Sequence, residues 1–190
     1  PPGIAAALAA GATGARVLIV EERPRLGGQA LFRDEPIEGR EPHAWVGESE
    51  RALAALPEVR AVTRATAIGY YDHNLVTLVE RVADHVPHAP PHVPRQRLWK
   101  IFAKEVVIAT GAIEVPLVFD CNDAPGVMLA GAAQRYARQY AVKAGSRAVV
   151  FTNNDSGYEA AAALARSGIA IAALVDPRED SPVMAPARAA

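Results

Sequence analysis

Cysteine is nearly absent: Cys121 is the only one in 190 residues, and a lone thiol closes no intrachain disulfide, which points to a reducing, cytoplasmic setting. Lysine is scarce as well, with only Lys100, Lys104 and Lys143 among 20 basic residues. Together with the abundant alanine this bias reads as a GC-rich genome and carries no chemistry. Nor is there an excess of one charge: 20 basic and 21 acidic side chains leave a net charge of -1, so the electrostatic footprint of a nucleic-acid binder is missing. No apolar run approaches the ~20 residues that span a bilayer, and no basic-then-apolar leader opens the chain. Neither nucleic acid nor membrane is an expected partner. What remains is an ordinary globular composition, 51% hydrophobic and 22% charged, sized for one domain or about one and a half.

The chain opens at Pro1-Pro2-Gly3-Ile4 directly on a helical run, with no strand before it. An Ala-rich helix needs a neighbour for its apolar face, so this is expected to be an internal, N-terminally truncated segment of a longer protein. Without the strand that would feed Gly3, neighbouring backbone groups stay uncovered, and weak stability and poor cofactor retention follow for the segment alone.

Small apolar side chains fill residues 3–13, which suits a helix lying close against a sheet. Gly14 ends it, and Val17-Leu18-Ile19-Val20 is a continuous apolar run of the buried parallel type, closing on Glu21-Glu22. Residues 24–42 read as loop from their prolines and glycines, with a modest helix over 43–55. From Val59 to Thr110 the pattern turns to short β-rich pieces at 59–62, 65–71, 74–82 and 97–110. Asp72-His73-Asn74 makes one turn between them, and the Pro-rich stretch 87–94 makes a longer one. Val106-Val107-Ile108-Ala109-Thr110-Gly111 ends the series as a second fully apolar strand. Beyond it the pattern predicts a helix at 128–142, a strand at 147–152, a turn at 153–156, a helix at 157–167 and a strand at 169–175.

An internal repeat lies across this order. Gly3, an Ala/Leu helix, Gly14, a strand and Glu21 correspond to Gly157, an Ala/Leu helix, Gly168, a strand and Asp176, with 18 and 19 residues between glycine and acid. The expected fold is therefore α/β: a Rossmann-like FAD/NAD(P)-binding fold with an inserted β-meander and a second, degenerate βαβ unit. Residues 1–145 would form the first dinucleotide-binding unit, its first strand missing. Residues 146–176 would begin the second, and 177–190 would be a loose tail.

A dinucleotide fingerprint needs a glycine turn that aims helix N-terminal amides at a pyrophosphate, and an acid about 20 residues on for the ribose. Only its last part is present. Gly3 would be the third glycine and Glu21 or Glu22 the acid, while Gly27-Gly28 beyond it would let a loop pass close to a cofactor. In the second copy the three glycine positions hold Thr152, Asn154 and Gly157, so side chains crowd the phosphate turn and no ordinary NAD(P)H site is expected there.

Glu21-Glu22-Arg23, Gly27-Gly28 and Val107-Ile108-Ala109-Thr110-Gly111 after a meander resemble the two-dinucleotide-binding flavoprotein superfamily. A tighter resemblance runs through Ala67-Ile68-Gly69-Tyr70-Tyr71-Asp72-His73-Asn74, Pro94-Arg95-Gln96-Arg97-Leu98-Trp99, Ala109-Thr110-Gly111-Ala112-Ile113-Glu114, residues 123–131 and Val150-Phe151-Thr152-Asn153-Asn154-Asp155. These strings are similar to the α subunits of heterotetrameric sarcosine oxidases, chains several times longer. The resemblance implies oxidative demethylation of sarcosine, with the one-carbon unit passed to tetrahydrofolate and electrons to oxygen. It implies β, γ and δ subunits as partners, FAD in the β subunit, FMN at the α–β interface, and NAD in the Rossmann unit of this chain. Carried over by position, Pro2 and Gly3 would lie at the pyrophosphate turn and Glu21, Glu22 and Arg23 at the adenosine ribose. Gly27, Gly28 and Gln29 would approach the phosphates, the backbone near Ala67 the adenine, and Thr110-Gly111 would close over the cofactor. Val115 departs from the family, which commonly has arginine there. No residue stands out as a catalytic acid or base.

Two other readings stay open: an opine-oxidase or hydrogen-cyanide-synthase type of subunit with FAD in the same unit, and a scaffold that binds no cofactor. His85, His88 and His92 lie in a Pro-rich loop without cysteine or carboxylate ligands nearby, which argues for exposed loop rather than metal. Cys121 has no partner base. Tyr70, Tyr71, Trp99, Tyr136 and Tyr140 read as packing, and Glu80, Arg81, Arg95 and Arg97 as solvated charges.

Overall fold

The computed structural model describes residues 1–178. They form two compact units: Pro1–Leu31 with Pro36–Gly111, and Phe32–Glu35 with the chain from Ala112 onward.

In the first unit, helix α1 (Pro2–Ala12) leads through Gly14, whose φ of +81° only glycine adopts readily, into strand β1 (Val17–Val20). Helix α2 (Pro42–Ala54) then feeds strand β2 (Val59–Val62), which pairs parallel with β1 from Val17↔Val59 to Val20↔Val62. The small residues of α1 serve this approach: a Cβ on Gly11 would lie 2.5 Å from Val59 Cγ2 and 2.8 Å from Leu56 Cδ1. Proline opens α2, and the Glu41 carboxylate accepts from the Ala44 amide at 2.8 Å as its cap. Ile4 and Ala7 of α1 and Trp45, Val46 and Leu53 of α2 make the core. The segment read as loop supplies part of it: Leu26, Ala30 and Leu31 are buried around a 3-10 turn at Gly28–Leu31.

Strands β3 (Ala65–Tyr71), β4 (Leu75–Arg81) and β5 (Gln96–Phe102) form the expected antiparallel meander. Its tight turn places His73 and Asn74 at left-handed φ of 60° and 54°. Asn74 pins the turn, accepting from the Tyr70 hydroxyl at 2.7 Å and donating to the Lys104 carbonyl at 2.9 Å. Glu80 is not the solvated charge its position suggested. It accepts from Arg97 at 2.9 Å and from Trp99 Nε1 at 2.8 Å, while the Arg60 guanidinium lies 4.9 Å from the Trp99 ring centre.

One expected strand is cut short. The run 97–110 is a strand only as far as Phe102, and Val106–Gly111 continues without a ladder, Val107 and Ile108 being 70% and 71% exposed. An apolar run nominates a buried strand, but a strand exists only beside a neighbour that takes its amides and carbonyls. Among the described residues β1 pairs with β2 alone, and nothing pairs with 106–111.

The second unit joins helix α3 (Ala130–Tyr140), strand β6 (Arg147–Phe151), helix α4 (Ser156–Arg166) and strand β7 (Ala170–Val175), with β6 and β7 parallel. Ala133 of α3 packs with Leu164 and Ile169, so residues 112–145 belong here and the expected break after 145 moves to 111. Glu114 takes part by accepting from the Gly131 amide at 2.9 Å, in the first turn of α3. Residues 32–35 are tied in by charge: Asp34 accepts from Arg138 and from Arg166 Nη2 at 2.7 Å, and Arg33 meets Glu159 at 3.4 Å. Burial, then the nearby Glu35 charge, push the Glu159 carboxyl up from its ordinary range.

The repeat is visible in both units as a glycine in the first turn of a helix that leads into a parallel strand. At Gly157 the approach is the tighter, since a Cβ there would fall 2.3 Å from Thr152 Oγ1. Gly157→Ala is expected to lower the stability of this unit by roughly 1–3 kcal/mol, read from the urea midpoint. An unchanged midpoint would mean that β6 and α4 do not approach this closely. The expected tail 177–190 lies outside the described residues beyond Arg178.

Candidate dinucleotide site

α1 and β1 are joined by a short turn and pack on one another, so they run in opposite directions. The start of α1 and the end of β1 therefore share one end of the first unit. Pro2 and Gly3 form the first turn of α1, where no side chain caps the helix and the Gly3 and Ile4 amides have no partner among the described residues. Free amides at a helix start are an anion site in waiting, because the helix dipole adds to them.

Glu21 is held from both sides. Its amide donates to the Val62 carbonyl at 3.0 Å, extending the β1–β2 ladder, and its carbonyl accepts from Ala65 at 3.0 Å, which ties the meander to this end. Glu21 Oε1 accepts from the Arg23 amide at 3.0 Å, and Oε2 has no partner among the described residues. Arg64, at φ +55°, donates its amide to the Arg23 carbonyl at 2.9 Å. Glu22 leaves its side chain exposed while its carbonyl accepts from Arg81 at 2.8 Å.

Arg23 then links the acid pair to the glycine loop, donating to the Gly28 carbonyl at 3.4 Å. The two glycines differ in kind. Gly27, at φ +122°, is buried, and a Cβ would lie 3.0 Å from Leu31 and Val46; Gly28, at φ +57°, faces open space. Gln29 follows half-buried on the 3-10 turn. Ala67 sits exposed at the irregularity of β3, two residues beyond the Ala65 bond to Glu21. Thr110 and Gly111 come next to the start of α1, because a Cβ on Gly3 would be 3.2 Å from that of Ala109. Contacts thus link Arg23 to Glu21, Glu22 and Gly28, Glu21 to the start of β3, and Gly3 to Ala109, all within the first unit. An open cleft of about 330 Å³ between α1 and α2, lined among others by Leu8, Trp45 and Ser49, includes none of them.

Sequence reasoning missed Arg81, which braces Glu22, and Arg178, placed in the tail. The second had a signal in the spacing Asp176-Pro177-Arg178. Arg178 donates to Asp176 from Nη2 at 2.7 Å and Nε at 3.0 Å, and from its backbone amide at 2.9 Å. These bonds, first that of the Arg178 side chain, hold the Asp176 carboxyl at about 2, below its ordinary 3.8. A carboxyl depressed on folding stabilises fully above its unfolded value, and the contribution goes as pH falls toward the folded one. The stability difference between wild type and Asp176→Asn should therefore shrink as pH falls from 3.8 toward about 2. A difference constant across that window would exclude the arrangement.

No group of three or more potential metal ligands exists among the described residues, and His85, His88 and His92 are not gathered into one. Cys121 is exposed, and its thiol donates to Asp120 Oδ1 at 3.8 Å. No helix among the described residues is long and apolar enough to cross a membrane.

No protein-family model matches the chain. Curated relatives do. The sarcosine oxidase alpha subunit of Rhizobium meliloti (strain 1021) is 43% identical over 178 residues, 94% of this chain and 18% of that protein. That of Corynebacterium sp. (strain P-1) is 45% identical over 182 residues, again 94% and 18%. Over this span the chain belongs to the sarcosine oxidase alpha-subunit family. An opine oxidase subunit of Agrobacterium tumefaciens (strain Ach5) is 34% identical over 139 residues, 70% of this chain and 26% of that one. Among solved structures, the L-proline dehydrogenase of P. horikoshii superposes with a TM-score of 0.70 at 27% identity, covering 94% of this chain and 34% of that one. The α/β, Rossmann-like class is thereby established, and the chain spans less than a fifth of the length of these two sarcosine oxidase subunits.

Proposed function

We propose that this chain is the dinucleotide-holding section of a sarcosine-oxidase-like oxidoreductase, with NAD bound in the first unit. The observation that carries the reading is the conjunction at one end of that unit: unpartnered Gly3 and Ile4 amides, an unused Glu21 oxygen, and a Gly28 whose missing side chain leaves open space. Those groups fit the pyrophosphate, the ribose hydroxyls and a close-passing loop. Arg23 and Gln29 would approach the phosphates or stack on the base, the backbone at Ala67 would meet the adenine, and Thr110-Gly111 would cover the cofactor. A flavin supplies the hydride acceptance in amine oxidation, and on this reading it is held with the β subunit: FAD within it and FMN at the α–β interface. The residues of this chain bind and orient, and none acts as acid or base. The whole assembly would include γ and δ subunits, pass a one-carbon unit to tetrahydrofolate and work in the cytoplasm.

A second reading, FAD in the same unit of an opine-oxidase-like chain, is favoured by the 34% identity to the opine oxidase relative. Mass spectrometry of nucleotides released on denaturing the full gene product, co-expressed with its partner subunits, separates the two. NAD together with flavin is expected. FAD without NAD would favour the opine-oxidase-like reading, and no nucleotide at all would leave a scaffold.

A further inference from the structure

The second unit repeats the helix–strand half of the first, with its acid in the same place, yet its polar groups are already taken. Asp176 directly follows β7, where a nucleotide-binding unit presents a carboxylate to ribose hydroxyls. Its side chain is 1% exposed, and each oxygen accepts twice from Arg178: Oδ1 from the amide and Nε, Oδ2 from Nε and Nη2. A carboxylate has about four acceptor sites, so no lone pair is left for a sugar. Arg178 also reaches across to the other strand's turn, donating from Nη2 to Asp155 Oδ1 at 2.9 Å.

The phosphate turn is filled in the same way. Thr152 is 5% exposed, and its Oγ1 donates to the Asn154 carbonyl at 2.9 Å and accepts from the Asn154 amide at 3.2 Å. Asn154 Oδ1 accepts in turn from the Ser156 amide at 3.1 Å and from the Ser156 hydroxyl. Amides that would face a pyrophosphate in a glycine turn here bind side chains of their own loop. The contact of Gly157 with Thr152 gives that glycine a packing role with no ligand needed.

We infer that Arg178 is an internal ligand of the second unit: its guanidinium stands where a ribose would sit at Asp176, latches β7 to the β6–α4 turn through Asp155, and closes the unit to dinucleotides. The latch joins groups far apart in sequence, Asp155 and Arg178, at the open mouth of two parallel strands. It goes beyond the reading of the first unit and does not depend on it.

Hydrogen exchange by mass spectrometry on the full gene product tests this, with and without millimolar NAD, FAD or ADP. Peptides covering 152–158 and 174–178 should exchange slowly without nucleotide and at the same rate with it. Arg178→Gln should speed exchange in both by about tenfold, with peptides of 160–165 unchanged as the control for folding. Arg178→Lys, which keeps the charge but loses the paired geometry, should fall between. Nucleotide-induced protection at 152–158, or exchange indifferent to Arg178→Gln, would overturn the latch. Protection confined to 17–31 would support the first-unit site, and its absence there would count against that site while leaving the latch to its own peptides.

Discussion

Trp45→Ala should cost the first unit about 3–5 kcal/mol, a large part of the roughly 5–15 kcal/mol typical of a whole domain. Trp45 is 4% exposed, and its cluster includes Ile4 of α1, Leu26, Ala30 and Leu31 of the glycine loop, and Val46 and Leu53 of its own helix. Truncation leaves a cavity where three segments meet, and none of them can close it without breaking contact with the sheet. The indole also donates to Glu38 at 3.3 Å, so Trp45→Phe should lose a smaller amount, about 1 kcal/mol for the bond. Urea unfolding by circular dichroism measures both, with Trp99 left as a fluorescence reporter in the meander. An unchanged midpoint for Trp45→Ala would show that α2 and the loop are not packed in this way. The same experiment bears on function, because the loop that Trp45 supports carries Gly27, Gly28 and Gln29.

Glu21→Lys should lower dinucleotide affinity by about 10- to 100-fold, the worth of a hydrogen bond to a charged group. The substitution removes the free Oε2 and the bond from the Arg23 amide, and puts a cation where the ribose hydroxyls need an acceptor. Backbone bonds of residue 21 to Val62 and Ala65 do not involve the side chain, so the sheet should persist. Glu21→Gln separates the roles: it keeps an acceptor without charge and should lose less. Nucleotide retained per chain following purification is the readout, with the circular-dichroism spectrum as control. Full retention in Glu21→Lys would remove the first unit from consideration as the site.

Much of this molecule is local in origin. Small-residue runs ended by Gly14 and Gly168, an apolar tetrad before Glu21, and alternating β-rich pieces around Asp72-His73-Asn74 each carry their element in a few adjacent residues. Helices α1, α2 and α4, the βα repeat and the meander were therefore legible, as were Gly3 and Glu21, because a helix that returns into a parallel strand must bring its start and the strand's end to one side. Gly28 was legible for a related reason: a conformation with positive φ and open space marks itself by the residue type.

Features that depend on a second segment were not legible. Val106–Gly111 has the composition of a buried strand, but a ladder is a property of two segments, and here no described neighbour takes its amides. Residues 32–35 look like loop, yet Asp34 is bound by arginines of α3 and α4 more than 100 residues away. Glu80 and Arg178 look like surface charges until Trp99 and Asp176 are placed against them. Backbone propensity acts over a few residues and is written in the chain, whereas pairing, burial and the partner of a charge depend on distances that only the folded chain sets. The sequence by itself thus determined most of the helices and strands, and which end of the first unit holds a glycine and an acid. Tertiary structure decided that the acid there keeps an unused oxygen, while its counterpart in the second unit is saturated.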